Sequence, residues 1–410
     1  MGIKPLEFLQ SKLSKNLLWL YSRTFLSYLL RFLFLVFVIK LISPHEYGIF
    51  ASVNAWVSGI VSIFSFGLGT AIIRLTPVYD KSAPEKIKGL LWFVLKYGII
   101  MSIILSIGLT ISYLLKLLPD ISGFLVFLIL GIFLYFPFNF LANIIYGLQK
   151  MGLLTVLDSL TNMFKIIFAL IFFHLGFGYV GIIYGFFLSL FLMILAKLYF
   201  LRKFIGRKSV DLKNLISHSV SGYSIDLFVI ASSHGRIIIS GLVLDLSSTG
   251  IMALASSISA YVSTILGTIN AAAFPIVARG DNPKRIIKTS FIIMILFSIP
   301  ILVVTAFLSK PIIMFLAESY FPVTNYLLFF VLGEILYTLA NTSLNQLYAV
   351  GKHIIIRKLY LLLIPIVLLF NLVFIKSLGI LGAAFSHIAY STIILFLGLY
   401  NLRKYFIEKS

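Results

Sequence analysis

The sequence predicts an all-α integral membrane protein of about twelve transmembrane helices, arranged as two six-helix bundles around a central cavity. Apolar residues fill 60% of its 410 positions and charged residues only 11%, too little polar surface for a water-soluble globule of this length. Apolar runs of about twenty residues, the length that crosses a hydrocarbon core, recur from end to end with short polar gaps. A backbone in lipid must satisfy its own hydrogen bonds, so such runs are helices, and the weak ten-residue alternation of a barrel strand is absent.

Taken in order, the first span (17–39) holds Arg23 and, at its centre, Arg31. It is too long for the apolar core of a cleavable leader and no small-residue cleavage site follows, so it is expected to stay as an anchor. The second (47–73) contains Phe66-Gly67-Leu68-Gly69, and the third (89–115) has Lys96 near an end, where a long side chain snorkels. After the fourth (122–146), the fifth (153–173) sets Asp158, Asn162 and Lys165 on one helical face. The sixth (179–200) follows a glycine-rich turn. The seventh (221–243) is the most polar, with Asp226 near its start and His234 and Arg236 further in. The eighth (248–275) and ninth (289–309) precede a tenth (323–348) in which Glu334, Asn341 and Asn345 form an i, i+7, i+11 stripe. Spans 355–375 and 379–400 complete the set.

A repeat with an offset near 202 divides the chain into halves 1–208 and 209–410. Tyr47-Gly48-Ile49 with Ala51 aligns with Thr249-Gly250-Ile251 with Ala253. Tyr146, Lys150, Gly178, Gly181 and Leu201-Arg202-Lys203-Phe204 meet Tyr348, Lys352, Gly379, Gly382 and Leu402-Arg403-Lys404-Tyr405 at 202 or 201. Six helices per half is an even number, so both halves enter the membrane in the same orientation, a parallel repeat with a cleft between bundles where transporters hold substrate. Segments 6–15 and 210–220, one before each half, read either as interfacial helices or as polar linkers.

The net charge of +20 belongs to topology rather than to nucleic acid. Most Lys and Arg, including Arg202, Lys203, Arg207, Lys208, Arg279, Lys284 and Arg285, fall on the face that also carries the termini, and the opposite face keeps Lys40, Lys116, Lys310 and Lys376. The positive-inside rule then puts both termini in the cytoplasm of a plasma-membrane protein, with anionic lipid as a partner.

Motifs for other chemistry are missing or misplaced. No G-x-x-x-x-G-K-[ST] phosphate cradle and no H-E-x-x-H zinc motif occurs. Gly176-Phe177-Gly178-Tyr179-Val180-Gly181 spells a dinucleotide fingerprint but joins two apolar helices, so it reads as a helix-ending turn. Asn341-Thr342-Ser343 spells a glycosylation sequon inside a span. The lack of Cys excludes disulfides, thiol nucleophiles and iron–sulfur ligation. The expectation is a transporter without cofactor or metal, not an enzyme, acting as a monomer.

Ionisable groups at membrane depth cost several kcal/mol and persist only with a partner, water or a function. Arg31, Lys165 and Arg236, with Arg23 as a further candidate, are the substrate-binding positions. An Arg fork matches phosphate oxygens in bidentate fashion, which points to an anionic, phosphate-bearing substrate. Asp158, Asp226 and Glu334 are candidates for ion coupling or for pairing with these bases as structural locks, and Asn162, Asn341 and Asn345 for the polar wall of the cavity.

The loop after the first span reads Ile39-Lys40-Leu41-Ile42-Ser43-Pro44-His45-Glu46-Tyr47-Gly48, and the second span ends Phe66-Gly67-Leu68-Gly69 with Ala71 and Arg74. Here, in Tyr146-Gly147-Leu148-Gln149-Lys150 and in Gly178-x-x-Gly181, the sequence resembles the polysaccharide and O-antigen-unit flippases of the multidrug/oligosaccharidyl-lipid/polysaccharide exporter superfamily. It keeps that family's Pro-x-x-Tyr-Gly but replaces the Ala-Arg and first Gly before it, and has Phe66 where aspartate is common. The resemblance implies alternating access that carries a polyprenyl- or dolichyl-linked oligosaccharide to the outer leaflet. It also implies that Arg23 or Arg31 lines the cavity, as arginines of the first helix do in the related murein-precursor flippases. A cation-coupled multidrug exporter of the same superfamily is the main alternative and would want a dominantly acidic cavity. A membrane-embedded glycosyltransferase would want acidic residues on sizeable external loops, which this chain lacks.

Overall fold

The computed structural model describes residues 12–115, 124–206, 208, 212–278 and 283–408. Lys116, Arg207, Arg279 and most of the segment 6–15 lie outside them, as does the side chain of Arg23. The helices are α1 (Lys12–Leu41), α2 (Pro44–Phe64), α3 (Leu68–Ser82), α4 (Glu85–Leu114), α5 (Leu125–Gly147), α6 (Met151–Phe172) and α7 (Gly178–Leu201). They continue as α8 (Leu212–Val229), α9 (Gly235–Val243), α10 (Leu246–Ala278), α11 (Pro283–Leu316), α12 (Thr324–Ala349) and α13 (His353–Glu408). No strand occurs among the described residues.

Nine stretches among the described residues are long and apolar enough to cross a membrane. Two of them, Met151–Phe204 and Ile354–Ile407, run for 54 residues each, about 81 Å of helix against a core of about 30 Å. Each therefore crosses twice. The reversal in the first falls at Gly176 (φ 92°) and Gly178 (φ 55°), and in the second at Gly379 (φ 60°), left-handed backbone that glycine alone adopts without a Cβ penalty. With the 30-residue α1 the described residues provide twelve crossings, as the sequence predicts, and the chain is a multi-pass membrane protein. The G-x-G-x-x-G run is this turn and not a nucleotide loop.

The chain divides into two compact units, one of residues 1–42 and 56–226, the other of 43–55 and 227–410. In unit 1, α6 packs along α7 and against α1, and α5 packs against α3, α4 and α7. The α6–α7 pair lies so close that a Cβ on Gly185 would meet the backbone of Phe168 and Ala169, the small-residue contact by which helices associate in lipid. In unit 2, α12 packs against α10, α11 and α13, around a core that includes Phe228, Ala340, Leu363, Val367 and Tyr390. Outward faces are apolar, as lipid requires: Ile295, Leu296, Phe307 and Phe315 of α11 are all exposed.

The polar seventh span is helical throughout but irregular. Between α8 and α9 the chain makes one π-helical turn, Ile230–His234, and a widened turn of this kind leaves carbonyls without their usual helical donors. Two are taken up by side chains of α13: Asn371 Nδ2 donates to the Ala231 carbonyl at 3.1 Å, and the Tyr390 hydroxyl to that of Ser232 at 3.4 Å.

Candidate functional site

Two clusters of charge stand at membrane depth, one in each unit. In unit 1, α6 carries Asp158, Asn162 and Lys165 on one side, as their spacing predicts. Asn162 is buried, while Asp158 and Lys165 are half-buried. Arg31 on α1, Asp158 and Lys197 on α7 all act electrostatically on Lys165, so the cluster holds three cations against Asp158. Arg31 is exposed, its guanidinium 5.7 Å from the Tyr28 ring. Two aromatic rings border the cations. Lys165 Nζ lies 4.5 Å from the Phe186 ring centroid, and Tyr135, which shares a hydrogen bond with Ser58 and feels the charge of Arg31, packs 6.1 Å from Phe186. Ring faces carry negative potential and hold cations in place without neutralising them.

Lys197 is a residue that sequence reasoning passed over. It falls near a helix end, where a lysine ordinarily snorkels, yet it is 0% exposed, with Nζ donating to the Phe138 carbonyl at 3.3 Å above the Phe138 ring. Nothing in its own helix marks it, and only the packing of α5 against α7 reveals it.

In unit 2, Arg236 on α9, Glu334 on α12 and His387 on α13 are 4%, 7% and 1% exposed. His387 Nε2 stands 3.9 Å from Glu334 Oε1. Glu334 is also hydrogen-bonded to Ser263 of α10 and within electrostatic reach of Arg236, whose guanidinium lies 5.5 Å from the Phe330 ring. Arg236 Nε and Nη1 and His387 Nδ1 find no hydrogen-bond partner among the described residues. Tyr337 lines the same pocket of polarity, bonded to Asn341 and Ser232 and 5.7 Å from the His387 ring.

The structure thus brings together Arg31, Lys165, Asp158 and Asn162 in unit 1, and Arg236, Glu334 and Asn341 in unit 2. It does not gather the α12 stripe onto one buried face: Glu334 is buried, Asn341 half-buried and Asn345 exposed. Asp226 belongs to unit 1 and sits beside Tyr223, while Arg236, ten residues on, belongs to unit 2. His387 and Tyr337, like Lys197, enter through tertiary packing.

At position 66 the phenylalanine adopts φ 47°, a left-handed conformation that aspartate and asparagine tolerate far better. Its ring packs 5.5 Å from that of Tyr223. A hollow of about 410 Å³ in unit 1, lined by Pro77, Asp80, Lys81 and Gly147 to Gln149, holds none of the membrane-depth charges. Among the described residues no three His, Asp or Glu side chains gather as metal ligands would.

Residues 13–281 match the model of a family described as "Polysaccharide biosynthesis protein". No protein of curated function matches. Among solved structures, the chain is similar to an inward-facing MATE family multidrug resistance transporter of the MOP superfamily, at TM-score 0.75 and 14% identity over 94% of this chain and 95% of that one. It is similar to the lipid II flippase MurJ in an inward closed conformation, at 0.76 and 17% over 94% and 87%. It is also similar to a MOP superfamily transporter from Pyrococcus furiosus, reported under the words "reverse polarity of binding pocket", at 0.65 and 16% over 100% of both chains. These likenesses establish the fold.

Proposed function

We propose that this chain, which belongs to the polysaccharide biosynthesis protein family, is a transporter that flips a lipid-linked oligosaccharide from the cytoplasmic to the outer leaflet by alternating access. The observation that carries this reading is the unit 1 cluster, in which Arg31, Lys165 and Lys197 stand against Asp158 beside Tyr135 and Phe186. Cations in a low-dielectric site favour a phosphate or an acidic sugar, and the Arg31 fork matches phosphate oxygens. Aromatic faces next to them suit the apolar C–H faces of a pyranose ring. The fold shared with a lipid II flippase and the family's tie to polysaccharide biosynthesis point the same way.

Arg31 and Lys165, the exposed and half-buried cations, are the substrate contacts in this reading, with Arg23 as an auxiliary. Arg236 is sealed, and its role is to pair with Glu334. Asp158 offsets Lys165, and Asn162 and Asn341 supply neutral polar wall. Both termini are cytoplasmic and the chain acts as a monomer. An anion moved outward against an interior-negative potential gains about 2.3 kcal/mol per charge per 100 mV, so the cycle needs no nucleotide and no carboxylate at position 66.

The test is transfer of a fluorescent lipid-pyrophosphate-linked oligosaccharide between proteoliposome leaflets under an imposed potential. The native chain transfers it, and Arg31→Ala needs about 10- to 100-fold more substrate to reach the same rate. The second reading, a cation-coupled drug exporter, draws on the MATE likeness. It replaces the first if the native chain moves no lipid-linked substrate yet exports cationic dyes in exchange for Na⁺ or H⁺.

A further inference from the structure

The turn that ends α5, Tyr146-Gly147-Leu148-Gln149-Lys150, has no part in either charge cluster. Its repeat equivalent, 202 positions on, is Tyr348-Ala349-Val350-Gly351-Lys352. The two turns are built alike. The N–H of Gln149 donates to the Tyr146 carbonyl and that of Gly351 to the Tyr348 carbonyl, both at 2.9 Å. The N–H groups of Lys150 and Lys352 donate five residues back, to the Ile145 and Leu347 carbonyls, at 3.3 and 3.0 Å. Together these bonds make the Schellman stop of a helix, whose residue after the cap is left-handed. The second half meets that demand with Gly351 (φ 84°), the first with Gln149 (φ 55°). Glycine adopts this backbone freely, whereas a glutamine Cβ crowds the carbonyl that follows. The same turn is thus strained in one half and relaxed in the other, and strain of this kind marks a side chain with a use.

Gln149 lines the hollow of about 410 Å³ in unit 1, a volume within the usual range for ligand pockets of about 300–1,000 Å³. The last turns of α3 form the other wall, with Pro77, Val78, Asp80, Lys81 and Ser82. The walls are pinned together at Gly147, where a Cβ would come within 2.6 Å of the Thr76 Cβ, so the hollow is set by helix packing.

Its lining selects a ligand class. One carboxylate, Asp80, and one ammonium, Lys81, leave no excess of positive charge for a phosphate, and a single carboxylate is too few for a hard cation. The Gln149 amide both donates and accepts. The Ser82 hydroxyl donates to the Val78 carbonyl at 2.8 Å and keeps lone pairs for an incoming donor. Half-buried Pro77 and exposed Val78 add an apolar strip. Mixed donors and acceptors beside an apolar strip match a pyranose, whose hydroxyls do both and whose C–H faces are apolar.

We propose that the hollow between the end of α3 and the α5–α6 turn is a saccharide subsite, in which Gln149 and Asp80 hold sugar hydroxyls of the oligosaccharide before it is moved. The link to transport rests on the flippase reading above. In that reading both walls follow even-numbered crossings and lie on the cytoplasmic face, where the substrate starts.

The test begins with saturation-transfer NMR on the purified native chain, using free glucose, galactose, N-acetylglucosamine and glucuronic acid, which carry neither lipid nor phosphate. At least one sugar should give a signal, reduced at least about threefold in Gln149→Gly and in Asp80→Ala, the loss of one hydrogen bond. Gln149→Gly should also raise the melting temperature by relieving the left-handed strain, while raising the half-saturating concentration of the fluorescent lipid-linked oligosaccharide about 3- to 10-fold. A gain in stability with a loss of binding is an outcome that a merely structural Gln149 would not give. No signal from any of the sugars, or signal and half-saturation unchanged in both variants, overturns the subsite and leaves the flippase reading standing. A sugar signal that both variants lose, with no transfer of lipid-linked substrate by the native chain, overturns the flippase reading and leaves the subsite.

Discussion

The charge clusters of the two units use similar side chains to opposite ends. In unit 1 the cations outnumber Asp158, and two of them, Arg31 and Lys165, keep exposed surface. In unit 2, Arg236, Glu334 and His387 are all nearly sealed and stand among themselves. A membrane-depth charge can persist because a ligand or water reaches it or because a partner sits beside it, and burial leaves the unit 2 charges only one another. In the function proposed above, the open, unbalanced cluster receives an anion, and the closed one holds α9, α12 and α13 together.

The contrast breaks first if unit 2 tolerates the loss of one partner. Glu334→Leu leaves Arg236 buried without its carboxylate and is expected to destabilise the chain by about 3–5 kcal/mol, read as a lower melting temperature of the purified protein. Adding Arg236→Met should restore most of the loss, since no lone charge then remains. A Glu334→Leu protein of native stability would show that the sealed cluster is not a lock. The converse holds in unit 1. Arg31→Ala should leave stability within about 0.5 kcal/mol but raise the half-saturating concentration of lipid-linked substrate about 10- to 100-fold, the loss of a charge-assisted hydrogen bond of about 1.5–3 kcal/mol. Arg31→Lys should fall between, keeping charge without the fork. If Arg31→Ala instead melts early and transfers normally, the roles of the clusters are reversed.

Lys197 sharpens the comparison, being a sealed cation on the open side. Lys197→Met, similar in shape, is expected to shift stability by less than about 1.5 kcal/mol and to slow transfer severalfold through the field it exerts on Lys165. Transfer at the native rate would confine substrate binding to Arg31 and Lys165. The smallest effect is at the α10 start, where hydrogen bonds from Ser248 hold the Asp245 carboxyl below the ordinary carboxylate range. Its capping contribution is complete above the unfolded value of about 3.9 and fades as pH falls through the lower folded one. Asp245→Ala should therefore cost about 1 kcal/mol at neutral pH, and the gap to the native chain should narrow only below about pH 4, as melting curves across pH would record.

Much of the fold was legible because its causes are local. Apolar run length gives the crossings, the glycines at 176, 178 and 379 give the reversals, and Arg31, Lys165 and Arg236 stand out as charges in apolar helices. The α6 face was legible too, since Asp158, Asn162 and Lys165 share one helix and helical spacing fixes their side. The α12 stripe was less so: Glu334, Asn341 and Asn345 share a helical spacing, but Asn345 is exposed although Leu344, Gln346 and Leu347 beside it are buried. Lys197, His387 and Tyr337 escaped notice because nothing in their own helices marks them.

The sequence by itself determined that this chain spans a membrane as helices, that it carries a repeat at an offset of 202, and which charges lie at depth. Those follow from transfer free energy and backbone hydrogen bonding, which act along the chain. The tertiary structure alone decided which charges share a cluster and which of them are buried. Burial and pairing depend on atoms brought near from distant positions, and no local pattern encodes that distance.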